Sequence, residues 1–339
     1  MQPTLTLITG AGGHIGNVLA RKLCRLGRAT RAMLLPAEPR DSLAGLPIEL
    51  MEADVLDPAS LRRAFAGVTH VFHLAGLISI LPGKQPRVQQ VNTQGTLNVL
   101  RAAQDAGIQR LVYTSSIHAL ARLPHGQVVD EKADYDPNNP YGAYDRSKAL
   151  ATLRVQACAR AGDLNAVIAC PTGVIGPFDF RGSLMGNYIT QALTGRTTPW
   201  VSGAYDFVDV RDVADGLLAA EQYGQASQSY ILSGHQYSIP ALLDAVLDAT
   251  GQAFQRVRIP LALARLGAMF APAYYQLTHT SPRFTPYAIE VLQSNSQISH
   301  AKASNCLGYT PRPLAETLRD TAAWMAQRAH GDVAFATPL

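Results

Sequence analysis

Leu5-Thr6-Leu7-Ile8 is a short apolar run that ends in Thr9-Gly10-Ala11-Gly12-Gly13-His14-Ile15-Gly16, and apolar residues then recur at Ile15, Val18, Leu19, Leu23 and Leu26. A buried strand turning through glycines into an amphipathic helix commits the chain to a βα unit and a parallel sheet. In such a turn Gly10 permits the tight bend and Gly13 lets backbone approach a pyrophosphate. Gly16 lets helix and strand pack closely, while the helix amino terminus presents N–H donors to phosphate. The plainer alternative is a tight turn that binds nothing. The strand before it and the helix after it favour a dinucleotide.

The rest of the chain keeps the rhythm. Strands are expected at Thr30–Leu35, Ile48–Met51, Val68–Leu74, Arg110–Tyr113 and Ala166–Ala169, with helices between them. Asp57-Pro58 has the chemistry of a helix start, an aspartate cap followed by proline. A long helix is expected over Arg87–Ala106 and another over Tyr141–Ala161. This alternation predicts an α/β fold, a doubly wound parallel Rossmann sheet. After Pro171 glycines and prolines crowd together, and most of the remaining chain reads as helix. The expected division is a dinucleotide domain over 1–170 with about 200–235, a smaller, mostly helical substrate domain over 171–199 and 236–328, and a tail over 329–339.

Several function classes are disfavoured. A net charge of +4 over 339 residues, with basic residues scattered, lacks the footprint of a nucleic-acid binder. Cys24, Cys158, Cys170 and Cys306 fit neither a metal spacing nor a disulfide framework, so no metal is expected and the compartment reads as reducing and cytoplasmic. Met1-Gln2-Pro3 runs straight into a strand without the pattern of a leader. The best membrane candidate, Leu266–Gln276, follows Arg265 and contains Pro272; it reads as a buried or capping helix, compatible with surface contact but not with a span.

The chemistry centres on Tyr144-Asp145-Arg146-Ser147-Lys148. Residues four apart share a helix face, so phenol and ammonium point the same way. A phenol titrating near ~10 is a poor acid or base at neutral pH, and a nearby ammonium is expected to lower that value. Ser115 and Ser116 end the fifth strand, at the edge where such sheets bind ligands, and a hydroxyl there can hold an oxygen that gains charge. His73 and His118 lie near the expected pocket but read as satisfied core or loop residues.

These motifs together resemble the extended, two-domain branch of the short-chain dehydrogenase/reductase family. The glycine turn with Tyr144 and Lys148 carries the likeness. So do His73-Leu74-Ala75-Gly76, Val91–Asn98, Tyr113–Ser116, Pro171–Pro177, Phe207–Ala214 and Leu307–Pro311, over roughly residues 4 to 325. The resemblance implies Ser116, Tyr144 and Lys148 as the catalytic set. It implies NAD or NADP held by Gly10, Gly13, His14, Ile15, Gly16, Asp54, Val55, Leu74, Ala75, Gly76, Asn92, Thr114 and Pro171, with Tyr144 and Lys148. Asn92 would either support the lysine through water or be tied to a neighbouring loop. Asp54 would either contact adenine or only shape a helix entry. Such proteins often form homodimers through two helices.

The pattern departs in places. The end of the second strand, where an acid selects NAD and arginine selects NADP, reads Leu34-Leu35, with Arg31 and Arg40 in reach; the missing acid leans toward NADP. Thr152 stands where relatives usually carry glutamate. Ile117-His118 follow Ser116 in place of a dehydratase's acidic pair. A small-molecule carbonyl or alcohol is the expected substrate, largely apolar if residues such as Phe178, Phe180, Met185, Tyr188, Trp200, Met269, Phe270, Tyr274 and Tyr275 line the cleft. That likeness points to dihydroflavonol-reductase and hydroxysteroid-dehydrogenase-like members. A sugar-nucleotide epimerase or dehydratase, drawing on Arg181, Arg196, Arg211 and Arg256 for a diphosphate, is the alternative, and a cofactor-sensing regulator a third.

Overall fold

The computed structural model of the chain describes residues 4–251, 253–278 and 284–329. The expected tail lies, from residue 330 on, outside the described residues, as does Met1-Gln2-Pro3.

In chain order the first half comprises β1 (Leu5–Thr9), α1 (His14–Arg25), β2 (Ala29–Leu34), β3 (Glu49–Glu52), α2 (Pro58–Phe65) and β4 (His70–His73). Next come α3 (Pro86–Gln89), a π-helical turn over Gln90–Gly95, α4 (Thr96–Asp105), β5 (Arg110–Thr114), α5 (Ala143–Arg160) and β6 (Ala166–Pro171). The second half holds β7 (Gly173–Ile175), α6 (Leu184–Leu193), β8 (Thr198–Trp200), β9 (Ala204–Asp209), α7 (Val210–Tyr223), β10 (Ser229–Leu232) and β11 (His235–Ser238). It closes with α8 (Ile239–Thr250), β12 (Arg256–Arg258), α9 (Leu261–Thr278), α10 (Pro286–Gln293), α11 (Ala301–Leu307) and α12 (Leu314–Ala329).

Seven parallel strands form the main sheet in the order β10-β6-β5-β4-β1-β2-β3. Their residues alternate between two apolar layers, as a sheet covered on both faces requires. Leu7, Val71, Leu111 and Ile168 face the layer that holds Leu61, Val99 and Val155 from α2, α4 and α5. Ile8, Phe72, Val112 and Val167 face the other, with Val18 and Leu19 of α1 and Val213 and Leu217 of α7. The order reverses between β1 and β4, and at such a switch point the strand ends leave a crevice for ligand.

The long helix expected over Arg87–Ala106 is divided by the π turn. Thr96 Oγ1 donates to the Asn92 carbonyl at 2.7 Å, and Gly95 packs against Val55, so side chains do part of what the regular ladder would. Beyond Pro171 the strands β7, β8, β11 and β12 are too short for periodicity to show. β7 and β11 flank β9 in a second sheet, and β12 pairs with β8. Helices α6, α8 and α12 enclose a further apolar cluster over that second sheet.

Candidate active site

The glycine turn sits where the sequence places it. Gly10 has φ +71°, and a Cβ there would stand 2.8 Å from the backbone nitrogen of Ala75, so β1 and the turn after β4 meet backbone to backbone. At Gly16 a Cβ would strike the Gly10 carbonyl oxygen and stand 2.8 Å from Ala11 Cα. Helix α1 has no side-chain cap and no acid in its first turn. Its first N–H groups are therefore unclaimed by side chains, and the turn fits a pyrophosphate on that observation. Leu74 and Ala75 are pinned beside it, the amide of Leu74 donating to the Thr9 carbonyl and that of Ala75 to Thr9 Oγ1.

Ser116, Tyr144 and Lys148 are all buried at the carboxyl edge of the sheet. Ser116 caps the short turn over Ile117–Ala119, accepting from the His118 amide at 3.2 Å. Burial pushes the Tyr144 phenol up to about 12, against a hydrogen bond with Ser116 that pulls it down. Burial likewise lowers the Lys148 ammonium to about 8. The expectation that Lys148 depresses the phenol is corrected here. Its Nζ donates to the Thr114 carbonyl at 2.8 Å, and it lies 5.1 Å from the Tyr113 ring, so it turns from Tyr144 toward β5 and Gly76. Ser115 is a structural hydroxyl, 2.6 Å from Thr152, where the sequence departs from the expected glutamate.

The remaining expected cofactor residues also gather along this edge, with varied tasks. Asn92 is tied to a loop. Its amide pairs with both backbone groups of Leu77, at 2.7 and 2.9 Å, and reaches Ser147 Oγ at 2.9 Å. Asp54 shapes the entry to α2 by accepting from the Leu56 amide at 2.9 Å. Val55 is buried, and its carbonyl accepts from Asn98. Thr114 Oγ1 is buried without a hydrogen-bond partner among the described residues. Pro171 ends β6 beside Leu232 of β10. His14 Nε2 is 2.9 Å from the Pro177 carbonyl, so it binds the loop after β7, and Ile15 packs at the rim of the core. His73 is a core residue held between Thr9 at 2.7 Å and Thr96 at 3.0 Å.

Two groups escaped the sequence reading. Glu38 lies four residues past the end of β2, beyond a turn in which Ala37 has φ +62°; one carboxylate oxygen accepts from the Leu35 amide at 2.7 Å. The other lies directly over Gly12, ion-paired with Arg181. An acid does therefore reach the place that Leu34-Leu35 left without one. Its signal was available as the first acid after the strand. The second group surrounds Tyr144. Tyr287 of α10 donates to Asp145 at 2.5 Å, Arg122 stands 3.6 Å from that carboxylate, and Tyr205 of β9 is 2.7 Å from His118 Nε2. Only the fold brings these residues together.

His118, Arg122, Asp145 and Tyr205 share one cavity with the apolar Ile117, Leu120, Leu123, Val129 and Ile298. None of the nine residues expected to supply apolar lining borders it. Phe178 and Phe180 pack with Trp324, while Met269, Phe270 and Tyr274 face outward.

Residues 6–238 match the NAD dependent epimerase/dehydratase family. Sterol demethylase protein B of Methylococcus capsulatus is 32% identical over 325 residues, covering 95% of this chain and 98% of its own. A putative dihydroflavonol 4-reductase of Synechocystis is 29% identical, covering 95% of each. The crystal structure of gox2253 superposes with a TM-score of 0.83 at 30% identity, over 97% of this chain and 99% of that one. With the sheet order, the glycine turn and the matched length in agreement, this chain belongs to the NAD dependent epimerase/dehydratase family.

Proposed function

We propose that the protein is a nicotinamide-dependent oxidoreductase that interconverts a carbonyl and an alcohol on a largely apolar small molecule. The observation that carries this reading is the buried Ser116, Tyr144 and Lys148 set beside a cavity with mostly apolar walls. A nicotinamide held along the strand ends would supply the hydride. Ser116 and Tyr144 hold the carbonyl oxygen as it becomes an alkoxide, and Tyr144 donates its phenolic proton to that oxygen. Lys148, held by Thr114 and next to Gly76, would orient the cofactor ribose. Oxidation runs the same steps backwards.

Glu38 shifts the cofactor preference. Its carboxylate over Gly12 supports recognition of a ribose diol, hence NAD, against the lean drawn from Leu34 and Leu35. The sugar-nucleotide reading loses most of its basic residues. Arg211 is bound to Asp209 and Asp320, Arg256 to Asp244, and Arg181 to Glu38. An intact catalytic set also speaks against a purely regulatory role.

The test is a panel of ketones, aldehydes and nucleotide sugars with NADH and NADPH, following both cofactor absorbance and product. Net reduction that falls at least ~100-fold in Tyr144→Phe, with cofactor affinity retained, is the expected result. Isomerisation without net cofactor turnover would refute it.

A further inference from the structure

Helix α9 presents an unusual surface. Its inner side is made of small residues, Ala264 and Ala268, packed with Val201 and Ile289. Leu263, Leu266, Met269, Phe270, Tyr274 and Leu277 point outward, and each is more than half exposed. Of the two expected roles, buried or capping, the exposed side chains exclude the first. Five of the six, Leu263, Leu266, Phe270, Tyr274 and Leu277, recur at intervals of three or four and form one stripe. A contiguous exposed apolar row marks an interaction surface.

The segment that carries that stripe has charge of one sign. Residues 249–289 contain no aspartate or glutamate. Arg256 is paired with Asp244, but Arg258 and Arg265 are exposed, and neither has a carboxylate partner among the described residues. Arg258 lies 5.5 Å from the ring of Trp200, a residue type suited to a boundary between water and an apolar phase. A second copy of the chain is a poor match. Two-fold pairing would set this face against itself, with cations meeting cations and no acid in the segment to answer them.

We infer that α9 docks in the plane of an anionic lipid bilayer, its apolar stripe among the acyl chains and Arg258 and Arg265 at the phosphates. Among the described residues no helix is long and apolar enough to cross a membrane, so the contact is peripheral. The site lies near this face. The Phe284 amide donates to Tyr275 of α9 at 2.9 Å, and the adjacent Thr285 donates to the Ile80 carbonyl at 2.8 Å. That carbonyl belongs to the loop after β4, which carries the exposed Leu77 and Ile78. Docking would thus bring the loop beside the catalytic edge close to lipid. The inference needs only this surface and stands apart from the redox reading.

Flotation of the full chain with phosphatidylcholine vesicles, with and without a quarter phosphatidylglycerol, tests it. Binding is expected to the anionic vesicles at low salt and to weaken in high salt. Phe270→Glu and Arg265→Glu should each reduce it at least ~10-fold without lowering the unfolding temperature, since both side chains face solvent. Absence of binding by the unaltered chain overturns the inference, as does equal binding by both variants. Conversion of a dimer to a monomer by Phe270→Glu would overturn it too, assigning the face to a second copy.

Discussion

Replacing Lys148 with methionine should make the protein more stable while destroying its proposed activity. Burial lowers the ammonium from its ordinary 10.5 to about 8. By linkage that difference amounts to about 3 kcal/mol, carried by the folded state wherever the lysine is charged. Methionine removes the penalty but leaves the Thr114 carbonyl without its donor at 2.8 Å, which costs about 1 kcal/mol. The net gain at neutral pH is then about 2 kcal/mol, a rise of a few degrees in unfolding temperature. Between pH 8 and 10.5 the folded protein binds fewer protons at this site than the unfolded chain, so the unaltered protein gains stability as pH rises. The advantage of the variant should be constant below 8, fall as pH rises and reverse by 10.5, where only the lost hydrogen bond remains. Thermal unfolding of both proteins across that range, without added cofactor, reads the effect. A variant that melts at or below the unaltered protein at neutral pH would refute the reasoning, and so would a pH-independent difference.

Gly16→Ala sets a Cβ against the Gly10 carbonyl and Ala11 Cα, backbone atoms that cannot swing aside. A loss of ~1–3 kcal/mol in denaturant unfolding and weakened dinucleotide binding by calorimetry are expected. Tyr287→Phe takes the donor from Asp145, a fully buried carboxylate, and should cost ~1.5–3 kcal/mol by urea titration. Glu38→Gln should raise KM for NADH and narrow the gap between NADH and NADPH, with kcat little changed, in steady-state assays with both cofactors.

The sheet and its carboxyl edge were legible because their signals are local. An apolar run, a turn glycine and a helical stripe all lie within about twenty residues of one another, so each βα unit declares itself. Tyr144 and Lys148 share a face by helix geometry alone, and Ser116 reaches the edge because β5 ends there. The π turn at Gln90–Gly95 was hidden because contacts such as that of Thr96 Oγ1 with the Asn92 carbonyl are side-chain choices that period does not record. The short strands after Pro171 carry too few residues for any period.

By itself the sequence determined the order of the main-sheet elements through β6, the glycine turn and the residues at the strand ends, since backbone periodicity and turn chemistry act between near neighbours. Tertiary structure decided how each charge and apolar face is used. Arg211 is held by Asp320, more than a hundred residues away, and Tyr287 crosses from α10 to Asp145. Glu38 reaches the glycine turn through a bend, and α9 keeps its apolar stripe in the open. A side chain's partner, and whether anything covers it, depend on segments distant in the chain that only folding brings near.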